Sequence, residues 1–393
     1  MLKTKKIRLK PTLEQEVLFW KSAGVSRWAY NLFLSENERL YDEFLKTGIG
    51  NKSISQGDLR KYINRELKPT THQWLKEVGS NVMKQAVKDA DISRQRWFKG
   101  ISEKPKYRSR KNSTPSFYVN YESLKRKPHG FQGEKIGYVK TTESLPKIPK
   151  DKRYSNPRIT FNGKYWFLSV GYEVDVEAYE LSGESIGIDL GIKNLAVVGN
   201  DHLFKKYKNI NKTKRVKQLE KKLIREQRKL SRKQLANIKS YDKNRKPIYS
   251  KPLNECKNWV KQIQVIKNIH RQLKNIRTSY LHQTTTEIVK TKPSRIVVED
   301  LNVKGMMKNR HLSKAISKQC FYEFSRQIKY KSERLGINFV KADRFFASSK
   351  VCSSCGHKKV DLKLKDRTFN CPNCKCSIDR DYNASINLAN YSI

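Results

Sequence analysis

Apolar residues recur along this chain at more than one period, and the changes from one to the next divide it. Lys5 to Lys10 has the texture of a short strand. Pro11-Thr12 then opens a helix in which Thr12 and Gln15 have the spacing of a capping box. Beyond Gly24, Trp28, Leu32, Phe33, Leu40, Phe44 and Leu45 recur at helical spacing. A second such face runs through Trp74, Leu75, Val78, Val82, Ala86 and Ala90 to Trp97 and Phe98, stopping at Gly100. Residues 12 to 100 are therefore expected to be a helical unit.

The period then shortens. Arg158 to Phe161 and Lys164 to Tyr172 flank Asn162-Gly163, the strongest hairpin dipeptide, so residues 115 to 178 are expected to form a small antiparallel sheet or barrel. Ser185 to Val198 predicts two strands meeting at a tight turn. Val216, Leu219, Leu223 and Leu230 predict a thinly apolar helix within Lys205 to Lys251. A longer helix is predicted from Trp259 to about Ile288, a buried strand over Arg295 to Glu299, a helix through Phe321, Phe324, Ile328 and Leu335, and a strand over Ile337 to Val340. Strands alternating with helices make this part a mixed α/β domain.

Charge changes the picture most. Across 393 residues, 84 Lys and Arg stand against 37 Asp and Glu, a formal +47. A surface this basic calls for a polyanion, with nucleic acid as the default partner. Lys205 to Lys251 alone holds 19 basic residues and three acids, so one face of its helix is expected to be solvated or to lie on phosphates. Lys104, Lys106, Arg108, Arg110 and Lys111 fall within eight positions, as a solvated loop or a phosphate contact. No apolar run is long enough to span a membrane. The first ten residues lack the apolar core of a signal peptide, and the seven cysteines are odd in number, so a reducing, cytoplasmic setting is expected.

Four of those cysteines have metal spacing. Cys352-x-x-Cys355 and Cys371-x-x-Cys374 would each place two thiolates on one side of a zinc ion, closing a tetrahedral, structural site. Cys376 is a rival to Cys374, and Cys256 and Cys320 are expected to be buried small apolar residues. Three acids sit where strands or helices begin or end: Asp189, Glu299 and Asp381. Each has a plain alternative, namely a turn residue, a solvated strand end or a helix N-cap. Taken together they match the need of phosphodiester hydrolysis for a few carboxylates holding Mg²⁺ ions on rigid elements. None of the seven histidines falls in a nucleophile or metal motif.

Ile188-Asp-Leu-Gly191, Val298-Glu-Asp-Leu301 with Gly305-Met306, Ala347 to Gly356, Phe369 to Cys374 and Asp379-Arg-Asp-Tyr-Asn-Ala384 follow in one order. In this they resemble TnpB, the transposon-encoded protein of bacterial insertion sequences related to type V CRISPR effectors. The resemblance implies a multidomain α+β chain. Residues 1–11 would be the first strand of a wedge β-barrel, 12–105 a helical recognition domain and 106–180 the rest of the barrel. Residues 181–345 would form a RuvC-like, RNase H-like nuclease domain with the first two acidic motifs. A zinc-ribbon-like insert binding target nucleic acid would occupy 346–378, and the last acidic motif and helix 379–393. It implies an RNA-guided DNA endonuclease using a guide RNA from the transposon end, one protein per guide RNA. Double-stranded DNA beside a short adjacent motif would be the target, in the cytoplasm or nucleoid of a prokaryote. Asp189, Glu299 and Asp381 would hold two Mg²⁺ ions, with Asp379 the substitute for Asp381, and Cys352, Cys355, Cys371 and Cys374 one Zn²⁺. Family members that only bind DNA as regulators, and strand-transfer transposases, remain the alternatives.

Overall fold

Two units, Met1–Asp175 and Val176–Ile393, make up the computed structural model, which describes residues 2–110, 112–174, 179–363 and 365–392. The first begins with strand β1 (Leu2–Lys10), helix α1 (Leu13–Thr47), helix α2 (Gln56–Tyr62) and helix α3 (Ser80–Phe98). Six further strands follow: β2 (Ser116–Tyr118), β3 (Lys125–Lys127), β4 (Gly130–Gly133), β5 (Gly137–Thr141), β6 (Ser155–Phe161) and β7 (Trp166–Glu173). They pair antiparallel in the order β2-β6-β7-β1-β5-β4-β3, so the first strand lies in the middle of the sheet. Both bonds of the Thr12–Gln15 capping box are present. The hairpin turns at Gly163, whose φ of 93° is where glycine is favoured. Phe19 of α1 packs edge-on against Trp166 at 5.3 Å, and both are buried in the core shared by sheet and helices. A bidentate Arg158–Asp89 pair, 2.7 and 2.8 Å, ties β6 to α3.

One helical face is shorter than its pattern. Trp74 and Leu75 lie in a separate 3₁₀ turn, Gln73–Glu77, because the backbone becomes extended at Val78 and α3 restarts after Gly79.

The second unit opens with a meander of β8 (Ser182–Leu190), β9 (Asn194–Gly199) and β10 (Phe204–Lys208), then helix α4 (Lys214–Leu235), a hairpin of β11 (Ile238–Tyr241) and β12 (Pro247–Tyr249), and helix α5 (Lys257–Lys290). The basic stretch is thus strand, helix and hairpin. Only Val216 of α4 is buried, against Ile269 and Leu273 of α5, which leaves most of its cations in solvent. Strand β13 (Pro293–Val298), helices α6 (Val303–Met306), α7 (Ser313–Gln319) and α8 (Phe321–Leu335) and strand β14 (Asn338–Lys341) come next. The cysteine-rich segment carries β15 (Thr368–Asn370) and β16 (Ser377–Asp379), and helix α9 (Arg380–Ala389) ends the fold.

The central sheet runs β10-β9-β8-β13-β14, antiparallel from β10 to β8 and parallel from β8 to β14. Its buried strands alternate between two cores, as a sheet covered on both faces requires. Ile296 and Val298 of β13 face Ile288, Phe324 and Ile328, whereas Val297 between them faces Val340 and Leu388. Cys256 and Cys320, expected to be buried, are both half-exposed: Cys256 precedes α5, and Cys320 joins α7 to α8 at a left-handed φ of 56°.

Candidate active site and cysteine cluster

Parallel register brings the first two acids side by side. Ile188 of β8 is opposite Val298 of β13, so Asp189 and Glu299 leave adjacent strands at the same level, and the Glu299 N–H faces the Ile188 carbonyl at 3.4 Å. In open α/β sheets ligands gather at such carboxyl ends.

Helix α9 brings the third. It crosses β8 and β9 over a floor made by Gly187 and Gly199, which are opposite each other in the ladder. A Cβ on Gly187 would overlap the Ser385 carbonyl and come within 2.6 Å of the Ala389 nitrogen; one on Gly199 would come within 2.9 Å of the Tyr382 ring. The bare backbones let the helix lie on the sheet. At its far end, Arg295 donates to the Ala389 carbonyl at 2.7 Å, a cation where the helix dipole is negative. At its start, the Tyr382 hydroxyl donates to the Asn200 carbonyl at 3.0 Å. Gly191 lies in the turn from β8 to β9, and its carbonyl accepts from the Gln319 side-chain amide at 2.9 Å.

The N-cap of α9 is Asp379, not Asp381. The Asp379 carboxylate accepts the N–H groups of Asp381 and Tyr382, both at 3.1 Å, and Lys206 at 2.7 Å. Burial opposes its ionisation, but Lys206 and those N–H groups hold it below the ordinary carboxylate range. The capping alternative for Asp381 falls away, leaving its carboxylate in the first turn. Asp300, next to Glu299, is occupied by Lys341 and Arg344 at 3.0 and 2.7 Å, which lower its pKa.

Asp189, Glu299 and Asp381 form one electrostatic group. Burial first, then Glu299 and Asp381, push Asp189 well above the ordinary carboxylate value, with Arg380 acting against them. Burial also raises Glu299, and Arg380 again opposes. All three retain some solvent exposure. Three carboxylates brought to one place, two of them raised by burial, supply only hard oxygen donors and fit divalent cations such as Mg²⁺.

The four cysteines of the two C-x-x-C turns come together with every Sγ within 4.8 Å of the others. Cys352–Cys374 and Cys355–Cys371 are each 3.6 Å apart. A tetrahedral zinc with bonds of about 2.3 Å places its sulfurs about 3.8 Å apart, so the set fits Zn²⁺. The four thiols share their protons unevenly: the His357 backbone N–H pulls the Cys355 thiol down to about 6, whereas Cys374, despite the Cys376 backbone N–H, is pushed up to about 12 by its hydrogen bond with Cys355. Cys376 lies outside the four, its carbonyl accepting from the Cys371 N–H at 2.8 Å. Cys371→Ser is expected to abolish stoichiometric zinc in the purified protein, and Cys376→Ser to leave it intact; elemental analysis reads both.

Asn383 and Asn387 couple this cluster to α9. The buried Asn383 amide donates to the Val351 carbonyl at 2.7 Å and its oxygen accepts from Ser353 N–H at 2.9 Å, while Asn387 donates to Ser348 and Val351. Sequence reasoning missed both; the available signal was two polar residues four apart on a helix face that is otherwise apolar.

Of the basic cluster, Arg108 stacks its guanidinium 3.5 Å from the Tyr30 ring centroid, Lys104 pairs with Glu38 at 2.9 Å and Lys106 with Glu103 at 3.6 Å. Arg110 is exposed, and Lys111 lies outside the described residues. Among the described residues no helix is long and apolar enough to cross a membrane.

Three family models match the chain: "Cas12f1-like, TNB domain" over residues 321–388, "Probable transposase" over 169–310 and "Helix-turn-helix domain" over 1–46. The last stretch here is β1 and most of the single helix α1. The chain is 25% identical to "Putative RNA-guided DNA endonuclease InsQ" of Escherichia coli K12, covering 98% of this chain and 90% of that protein. It is 27% identical to a "Putative RNA-guided DNA endonuclease" of Streptomyces pristinaespiralis, covering 98% and 87%. A Cas12f1 chain solved in complex with sgRNA and target DNA aligns over 99% of each chain at 17% identity and a TM-score of 0.36.

Proposed function

The chain belongs to the TnpB family of insertion-sequence proteins, and from that premise we propose that it is an RNA-guided DNA endonuclease that hydrolyses phosphodiesters at Asp189, Glu299 and Asp381. The single observation that carries the site is the convergence of two parallel strand ends and the first turn of α9 on one group of carboxylates, in which burial, Glu299 and Asp381 together oppose the ionisation of Asp189. On this reading the β8–β14 sheet is the RuvC-like core, divided as 181–345 and 379–393, with the zinc-ribbon-like insert at 346–378. Residues 1–11 and 106–180 are the wedge and 12–105 the recognition helices.

Two Mg²⁺ ions held by the three carboxylates would neutralise charge on the attacking water and the leaving oxygen, giving 5′-phosphate and 3′-hydroxyl ends. The protein's own part is placement. β8 and β13 fix two carboxylates at one level, the glycine floor and Arg295 fix α9, and Asp379 caps it so that Asp381 is free to act. Cys352, Cys355, Cys371 and Cys374 would hold one structural Zn²⁺, and Asn383, bonded to Val351 and Ser353 beside them, steadies the helix that carries Asp381.

Guide RNA from the transposon end and double-stranded target DNA are the partners. Delegating sequence choice to pairing leaves the protein to supply a basic channel, for which the net charge of +47 and the solvated cations of α4 are suited. In the first unit, Lys104, Lys106, Arg108 and Arg110 are a separate set of nucleic-acid contacts, Arg108 as a packed element of it. The setting is cytoplasmic and nucleoid-associated in a prokaryote, with one protein per guide RNA.

The two tail aspartates test the assignment. Asp381→Asn is expected to abolish cleavage. Asp379→Asn keeps a side-chain oxygen for the cap and is expected to retain cleavage within about tenfold of wild type. The reverse order in a single-turnover assay would move the third ligand to Asp379.

A further inference from the structure

The loop after β14, which leaves the sheet at the same end as the acids, holds a phenylalanine in solvent. Register aligns Ile188, Val298 and Lys341 across β8, β13 and β14. One step on, Asp189, Glu299 and Ala342 leave the same carboxyl ends, and the Ala342 N–H donates to the Val298 carbonyl at 3.0 Å. Three residues later stands Phe345. It is 89% exposed, the most of any large apolar side chain among the described residues.

A single apolar side chain in water is ordinary; the scaffold around this one is not. The Phe345 N–H donates to the Asp343 carboxylate at 2.8 Å, and the Phe346 N–H to the Asp343 carbonyl at 3.0 Å. The Asp343 N–H donates to the Tyr391 hydroxyl at 3.2 Å, and Phe346 packs edge-on against the Tyr391 ring at 4.9 Å. Arg344 is fastened to Asp300, the residue after Glu299. The residues on either side of Phe345 are thus tied to β13 or to the end of the chain, while its ring stands clear. Lys341 and Arg344, four residues and one residue before it in the chain, have side chains 52% and 49% exposed and both pair with Asp300.

Distance fits a nucleic-acid strand. One strand spacing plus three residues puts Phe345 no more than about 15 Å from Glu299 between Cα atoms. That spans roughly four nucleotides of a stacked strand at about 3.4 Å each. An aromatic face accepts any base, and cations beside it take the phosphates. A protein partner would need a wider apolar patch than one ring.

We propose that Phe345 is a base-stacking post on which the unpaired DNA strand lays a base near the phosphate being cut, its flanking phosphates meeting Lys341 and Arg344. This rests on the nuclease reading above. The probe is a single-stranded DNA 15-mer without complementarity to the guide RNA, carrying 2-aminopurine and stepped through successive positions. It is bound to the full chain with its guide RNA in Mg²⁺-free buffer. Stacking quenches the fluorophore in the wild type. Phe345→Ala is expected to relieve that quenching and weaken binding roughly tenfold or more, and Phe345→Trp to restore both. The ring is exposed, so thermal unfolding should not change. Quenching and affinity unaltered in Phe345→Ala, or no quenching at any position in the wild type, overturns the proposal. Failure of the nuclease reading is separate: the wild-type complex would leave matched DNA uncut whatever the fluorescence does.

Discussion

Asp189→Asn yields a protein that keeps its guide RNA and loses DNA cleavage by roughly 10³-fold or more, because removing one of three convergent carboxylates removes several kcal/mol of charge stabilisation. Single-turnover cleavage of an end-labelled matched duplex measures it, with copurifying RNA as the control for folding. The same substitution has an opposite effect on stability. Burial and two neighbouring acids raise the Asp189 pKa in the fold, so the fold holds that proton more tightly than the unfolded chain does. In Mg²⁺-free buffer this contribution is fully present below the unfolded value of about 4 and is lost as pH rises through the raised folded value. At neutral pH, far above the unfolded value, the buried acid burdens the fold whether or not it keeps its proton, and asparagine lifts that burden. The variant is therefore expected to melt at or above the wild-type temperature without Mg²⁺, and added Mg²⁺ should raise Tm more in the wild type. A variant that cuts normally would remove Asp189 from the chemistry.

Gly187→Ala is expected to damage the protein more than any other single methyl group considered. The new Cβ would overlap the Ser385 carbonyl and lie 2.7 Å from the Leu388 Cβ. These are helix backbone and packed core, neither of which can rotate away. Overpacking of this kind costs about 1–3 kcal/mol and sometimes more, or about 3–10 °C in Tm for a unit of this size. Any relief comes from lifting α9, which also moves Asp381 from Asp189. Cleavage should therefore fall further than stability does. Gly191→Ala is the control, since its nearest contact would be the Asn194 carbonyl at 3.3 Å. Equal Tm for Gly187→Ala and wild type would contradict the close packing of α9 on β8.

Local signals were the legible ones. The Thr12–Gln15 box and the Asn162-Gly163 turn need only their own neighbours, and both are present. The apolar run Ile296 to Val298 is a strand buried on both faces because nothing in it suits solvent. The two C-x-x-C turns predicted their own convergence, since each brings its sulfurs together locally. Hidden features were those set by distant parts of the chain. The basic stretch from Lys205 to Lys251 conceals a strand and a hairpin because its charges swamp a weak apolar alternation. Asp379 and Asp381 both precede the last helix, and which one caps it depends on a helix start at Arg380 and on Lys206, 173 residues away. The Gly187–Gly199 floor has meaning only once α9 lies across it.

Guided cleavage is tested most directly by plasmid cutting with the purified protein and its transposon-end guide RNA in Mg²⁺. A linear product is expected only when guide and target match and the adjacent motif is present, and none with a mismatched guide or with Asp189→Asn. Cutting that ignores the guide, or matched DNA bound and left whole, would contradict it.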